Sequence, residues 1–354
     1  MNTHAILCAL GVAALASSAG ADVITIEPSK DSTLYESSGG SLANGSGSGI
    51  FSGFTFTSEI RRSLLQFDVA TAVPAGATIN SATLTLTITM NITGAADMSL
   101  YAATQAWGEG PSVGGGTGGG AGGAALAGDS TWVHALSPGT LWASPGGDFV
   151  PGASASASVG GATGVFSSAG MAADLQGWLD APAGNFGWLL KTDDEATPNA
   201  KRMGSRESGA APNRPVLEID YTPAGVGTSF CSSLPNATGS AALLTAAGSP
   251  NSSLVFTSAP VPNTTGQFFY GPMMLAGAPF GDGLLCAGGM TQRMLPFISA
   301  GMMMQLPNAA TFTVNYTAPY TVGLTGTQYF QHWFRSGLAT GSGWNTSDGV
   351  GVTF

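Results

Sequence analysis

The chain has 354 residues, a formal net charge of −10 and only 8% charged side chains. An acidic balance of this kind excludes nucleic acid and an anionic membrane surface as the main partner. Three histidines and three cysteines leave few groups for nucleophilic or soft-metal chemistry.

Residues Met1–Ala21 carry an apolar core, Leu7–Ala16, and end on Ala19-Gly20-Ala21 before Asp22. This is the layout of a cleavable secretory signal, assigned to residues 1–21. Its apolar run falls short of the ~20 residues that span a bilayer, and no later stretch is long enough, so no membrane span is expected after cleavage. Cleavage removes Cys8 and leaves Cys231 and Cys286, which predicts one disulfide in an oxidising compartment. About 330 residues remain, more than one core usually serves. Beyond Thr222 the only charged residues are Asp282, Arg293, Arg335 and Asp348, a break that places two domains at 22–223 and 224–354.

Nearly every element reads as β. Arg61–Val69 alternates, with Ser63, Leu65, Phe67 and Val69 on one face and Arg62, Leu64, Gln66 and Asp68 on the other. Pro74-Ala75-Gly76 turns the chain into Thr83–Met90, where Leu84, Leu86, Ile88 and Met90 are expected inside and four threonines outside. Gly110–Gly128 is a glycine-rich surface loop. Its G-x-G-x-x-G match, Gly118–Gly123, lacks the strand, helix and acidic partner that a dinucleotide site needs. One short helix is predicted from Met171, Leu175, Trp178 and Leu179, capped by Ser168 and stopped by Pro182. Phe186–Lys191 and Val216–Tyr221 bracket a cation-rich segment that holds five of the ten basic residues: Lys191, Lys201, Arg202, Arg206 and Arg214. In the second domain Leu254–Thr257, Gln267–Tyr270, Thr311–Tyr316, Gln328–Phe334 and Val350–Phe354 are the predicted strands. The fold class is therefore all-β: two β-sandwich, jelly-roll-like domains, the first with one short helix.

Catalytic motifs are absent from the sequence. After signal cleavage only His134 and His332 remain, and neither a G-x-S-x-G elbow nor an H-E-x-x-H pair occurs. His332 reads as a partly exposed strand residue between Phe330 and Phe334. Asp193-Asp194-Glu195 reads as a solvated loop balanced by Lys191, Lys201 and Arg202; no cofactor is expected, although this triplet is a candidate for a structural calcium. The methionines Met273, Met274, Met290, Met294 and Met302–Met304 read as gap-filling core or adaptable apolar surface rather than a copper site. Sugar binding needs an aromatic platform beside polar groups. Trp107, Trp132 and Trp142 flank the glycine-rich loop and fit either that role or packing beneath it.

Several segments carry a family resemblance. Arg61–Val69 (RRSLLQFDV), Pro74–Leu86 (PAGATINSATLTL), Gly128–Val133 (GDSTWV), Trp142–Phe149 (WASPGGDF), Asn185–Lys191 (NFGWLLK) and Lys201–Glu207 (KRMGSRE) with Arg214–Tyr221 closely resemble the DNRLRE-domain family, in the same order. That family is related to carbohydrate-binding module family ninety-six. The resemblance spans about Asp22 to Thr222 and implies a secreted jelly-roll-like sandwich, with some relatives binding acidic polysaccharides through a basic groove. Gly227–Cys231 (GTSFC), Phe268–Pro272 (FFYGP), Phe280–Cys286 (FGDGLLC) and Phe330–Arg335 (FQHWFR) with Asn345–Gly349 resemble a planctomycete-type secreted C-terminal module to which no activity attaches. The expectation is a secreted, non-catalytic protein binding a polysaccharide or cell-surface glycan. In it Arg62, Lys191, Lys201, Arg202 and Arg206 face uronate or hydroxyl groups, and Trp107 or Trp142 stacks on a sugar ring. The alternative is a structural component of a matrix or envelope with no sugar ligand.

Overall fold

A computed structural model describes residues 21–248, 250, 254–262, 265–294, 298–299, 312–317, 324–335 and 341–354. Residues 1–20 of the expected signal segment and Met302–Met304 lie outside the described residues. The chain divides into two compact units, Ala21–Thr222 and Pro223–Phe354.

The first unit is built on one curled, antiparallel, 11-stranded sheet, with two short two-stranded sheets beside it. Its path runs Asp22–Ile26, Val216–Thr222, Thr78–Asn91, Lys201–Gly204, Gly49–Phe54, Ile60–Gln66, Trp188–Thr192, Ala96–Ala102 and Ala155–Val159. Thr163–Ser167 adds to Thr78–Asn91, and Lys30–Tyr35 adds to Ile60–Gln66. The sheet folds back so that Leu84, Leu217 and Ile219 from one end share a core with Leu65, Leu100, Trp188 and Leu190 from the other. This is a sandwich-like arrangement, with period-2 alternation supplying the inner face of each layer.

The 14-residue strand Thr78–Asn91 carries the curl. Leu84 and Leu86 point inward, as the alternation predicts. A register shift opposite Arg202 and Met203 turns Met90 outward, 39% exposed, where the sequence predicts it inside. One inserted residue reverses the alternation beyond it. The strand predicted over Arg61–Val69 ends at Gln66, and Val69–Ala72 forms a one-turn helix, so this unit has two α-helices rather than one. In the longer helix, Ala169–Asp180, Ser168 Oγ accepts the Met171 N–H at 3.1 Å, and Met171, Leu175, Trp178 and Leu179 are buried. The segment Lys201–Gly204, read from sequence as a polar connection, is itself a strand, with Met203 in the core.

The layer containing Ile60–Gln66 is buried on both faces. Leu65 and Leu190 face the main core, while Leu34, Leu64 and Leu189 face a smaller one built from Trp107, Trp132, Ala135 and Trp142. The long segment between Ala103 and Phe149 therefore covers the sheet.

In the second unit a six-stranded sheet contains Thr228–Phe230, Trp344–Thr353, Thr327–Arg335 and Thr265–Gly271, and a four-stranded sheet contains Gly225–Val226, Leu243–Ala247, Val255–Val261 and Phe312–Thr317. Phe256, Phe268, Phe330, Phe334 and Val350 share its core. The hairpin Met273–Phe280 and Gly283–Gly288, not anticipated from sequence, is tied by Cys231–Cys286 and by Gln331, whose Oε1 accepts the Cys286 N–H at 2.9 Å. Met294 is core, whereas Met273, Met274 and Met290 are exposed.

Two buried groups give this unit opposing pH slopes. Burial pushes the Asp348 carboxyl up to about 6, against donation by the Ser229 hydroxyl and the Leu244 N–H. The folded state then takes up this proton before an unfolded carboxyl near 3.9 does, so Asp348 favours folding increasingly as pH falls from about 6 to about 4. Burial pushes His332 down to about 3. It must be neutral in the folded state, so its contribution is lost as pH falls below about 6.5. In Asp348→Asn only the histidine slope remains. The variant's urea midpoint for this unit should fall more steeply than wild type below pH 6, and parallel curves would refute the assignment.

Candidate functional site

A cleft of about 540 Å³ opens where Lys201–Gly204 pairs with Gly49–Phe54 and with the end of Thr78–Asn91. Phe51, Phe56, Glu59, Arg61, Lys201 and Arg202 line it. The turn after Phe54 shapes its mouth. The Thr55 N–H donates to Glu59 O at 3.0 Å, the Ser58 N–H to Thr55 O at 3.1 Å, and the Glu59 N–H to Thr55 Oγ1 at 3.1 Å. The turn leaves the Phe56 ring 71% exposed.

The electrostatics of the cleft follow from its pairing. Arg61 is buried, meets Glu59 at 2.7 Å and lies over the Tyr35 ring at 4.7 Å, while its Nε has no hydrogen-bond acceptor. Lys201 shares the inward parity of Met203 and is 1% exposed; its Nζ donates to the Asn199 carbonyl at 2.8 Å. Burial pushes its pKa down. Arg202 faces the other way and donates to Gly118 O at 2.9 Å, Thr89 Oγ1 at 2.6 Å and Ser48 Oγ at 3.1 Å. These contacts pin the glycine-rich loop to the strand. Gly118 adopts φ +62°, which favours glycine, and a Cβ there would sit 2.9 Å from Arg202 Nε and displace that side chain. Three cationic side chains thus meet one carboxylate in the cleft.

The remaining predicted residues lie elsewhere, each engaged within the fold. Arg62 makes a bidentate pair with Glu195, 2.8 Å on each arm, donates to Gly146 O at 2.8 Å and lies over Trp132 at 5.0 Å. This corrects the reading of the acid triplet, since Glu195 is balanced by Arg62 rather than by Lys191, Lys201 or Arg202. Asp194 Oδ1 accepts the Ala196 and Thr197 N–H groups. With the Thr197 hydroxyl, these hold its carboxyl below the usual range. Asp194 thus holds a turn and Glu195 an ion pair. Arg206 sits among Glu109, Glu207 and Asp31. Lys191 lies 5.6 Å over the Tyr101 ring and donates to Thr192 O at 3.3 Å.

Trp107 and Trp142 do not present a free ring. They are 4% and 5% exposed, with indole N–H groups donating to Phe186 O at 2.8 Å and Thr131 O at 2.9 Å. Both serve the smaller core under the covering segment, because two-faced burial of the Ile60–Gln66 layer needs large apolar side chains from outside the sheet.

His332 corrects a second expectation. It is 1% exposed, stacked at 4.4 Å on Phe268, and neither ring nitrogen has a hydrogen-bond partner. Its parity with Phe330 and Phe334 sends it into the core. His134 Nδ1 lies 3.0 Å from Thr131 Oγ1. Phe56 and Arg61 were missed by sequence reasoning. The only available signal is an aromatic residue in a Thr- and Ser-rich turn immediately before a double arginine.

A second cleft, of about 640 Å³, is lined by Asp97, Asp193, Asp194, Thr197 and Asn199 and is acidic. Among the described residues no helix is long and apolar enough to cross a membrane. No protein-family model matches the chain, and no curated protein matches it.

Proposed function

We propose that this is a secreted, non-catalytic carbohydrate-binding protein of the DNRLRE type, taking an extracellular polysaccharide into the Lys201–Arg202 cleft. The observation that carries this reading is an exposed aromatic ring, Phe56, beside cations in excess of carboxylates. A ring face stacks on the apolar face of a pyranose, and the part-exposed Arg202 guanidinium can donate to its hydroxyls or to a uronate carboxylate, while the buried Lys201 and Arg61 add positive charge behind it. Negative charge around the second cleft repels a uronate, leaving the first as its point of entry. Support for a binding rather than catalytic role comes from Glu59, the one carboxylate lining the cleft, which is committed to Arg61. The Met1–Ala21 leader pattern and the Cys231–Cys286 bridge favour an oxidising, extracytoplasmic location.

Isothermal titration against a polyuronate and neutral glucans and mannans tests this. Wild type should bind the polyuronate, Phe56→Ala should weaken binding about tenfold by loss of stacking, and Lys191→Ala should leave it unchanged. A wild type that ignores every polysaccharide, or a Phe56→Ala variant that binds as tightly as wild type, would sink the proposal. A second reading, a matrix or envelope component, is favoured by the exposed Met273, Met274 and Met290 of the second unit. It predicts self-association that no glycan alters.

A further inference from the structure

Away from the cleft, three carboxylates converge where the strand Lys30–Tyr35, the start of the glycine-rich insert and the loop after Lys201–Gly204 meet. Asp31, Glu109 and Glu207 each bring one oxygen to within 4.8 Å of the others. Arg206 is the hub. Its Nε donates to Glu109 Oε1 at 2.6 Å and lies 2.8 Å from Glu207 Oε1, its Nη2 donates to Glu109 Oε2 at 2.7 Å, and its backbone N–H donates to Asp31 Oδ2 at 2.7 Å. The Asp31 N–H donates to Glu109 Oε1 at 2.8 Å. Lys30 is the other nearby cation, but its Nζ donates to the Trp107 carbonyl at 2.6 Å.

This arrangement is incomplete in two ways. Three carboxylates face two cations, which leaves one negative charge in excess. Independently of that count, Asp31 is only 1% exposed and its Oδ1 is buried with no hydrogen-bond partner; Glu207 Oε2 is buried and unpartnered as well. A buried carboxylate oxygen with nothing to accept is costly, and native structures satisfy such atoms with a donor, a water or an ion.

We infer that Asp31, Glu109 and Glu207 form a divalent cation site, with Ca²⁺ as its ligand. Hard carboxylate oxygens that close suit an ion taking oxygen ligands at about 2.3–2.6 Å in flexible geometry, and Ca²⁺ tolerates the irregular set better than Mg²⁺. Asp31 Oδ1 and Glu207 Oε2 supply the free ligand atoms, and Glu109 contributes while it holds Arg206. An ion here would clamp the glycine-rich insert to the sandwich edge, which connects this site to the loop that Arg202 pins from its other side.

The test uses the full chain after chelator treatment and dialysis. Calorimetric titration with CaCl₂ should show one site per chain, with Mg²⁺ at least about tenfold weaker. Saturating Ca²⁺ should raise the melting temperature of the first unit by about 5 °C. Tb³⁺ should bind competitively with Ca²⁺ and luminesce on tryptophan excitation, since Trp107 lies two residues from Glu109. Glu207→Gln should lower Ca²⁺ affinity at least about tenfold with an unchanged circular dichroism spectrum. It is the decisive variant because the Glu207 side chain is 23% exposed and the substitution keeps its shape, whereas Asp31→Asn alters a fully buried position. Glu195→Gln, in the acid triplet, should bind Ca²⁺ as wild type does. Wild type with no saturable heat and an unmoved melting temperature would overturn the site. Wild-type affinity in Glu207→Gln would overturn it equally.

Discussion

Trp188→Ala should lower the stability of the first unit by about 4 kcal/mol, the range for emptying a buried aromatic position. Trp188 is 0% exposed, stands 4.7 Å from Trp178 and 6.1 Å from Phe67, and donates its indole N–H to Asp174 Oδ2 at 2.7 Å. The substitution removes the group that joins the helix Ala169–Asp180 to the sheet and leaves Asp174 without that donor. The rings of Trp178 and Phe67 border the resulting cavity. Urea unfolding followed by near-ultraviolet circular dichroism would measure the loss. The two units should be fitted as separate transitions, since a single one is not assured for two domains. A loss below about 1 kcal/mol would show that the helix does not depend on this contact.

Removing the Cys231–Cys286 bridge should cost the second unit a similar amount. The cysteines are 55 residues apart, and closing a loop of that length is worth about 4 kcal/mol in the chain-entropy account. Cys286 is fully buried and its strand is held to Thr327–Arg335 through Gln331, so the released hairpin would also lose its anchor. The double variant Cys231→Ala/Cys286→Ala should show a lowered midpoint for the second unit and an unchanged one for the first. A reductant should shift wild type in the same direction and leave the variant where it is. An unmoved midpoint in the variant would mean that the Gln331 contacts hold the hairpin unaided.

Local rules reached far into this fold. The helix was legible in full because Ser168, Met171, Leu175, Trp178 and Leu179 each obey short-range constraints of capping and period. Alternation placed Leu84 and Leu86 inside for the same reason. Met90 failed because a bulge is decided by the partner strand, which lies more than a hundred residues away. The strand Lys201–Gly204 was missed because its residues look polar; pairing on both sides, with Gly49–Phe54 and with Thr78–Asn91, overrides that composition.

The candidate site was legible only in part. Lys201 and Arg202 do line the cleft, but Arg62 and Arg206, equally basic on paper, are consumed by Glu195 and Glu109. Trp107 and Trp142 look like platforms until the covering segment is seen to bury them.

Composition and short-range pattern therefore determined the all-β class, the two-sandwich expectation, the helix with its caps and the pairing of the cysteines. Each depends on residues close in sequence or on the absence of alternatives. Which cation meets which acid was decided by the folded chain, because the partners are far apart: 133 residues separate Arg62 from Glu195, and 97 separate Arg206 from Glu109. Charge and ring identity are properties of the sequence; whether a charge is neutralised or a ring exposed is set by the path of the loops that close over it.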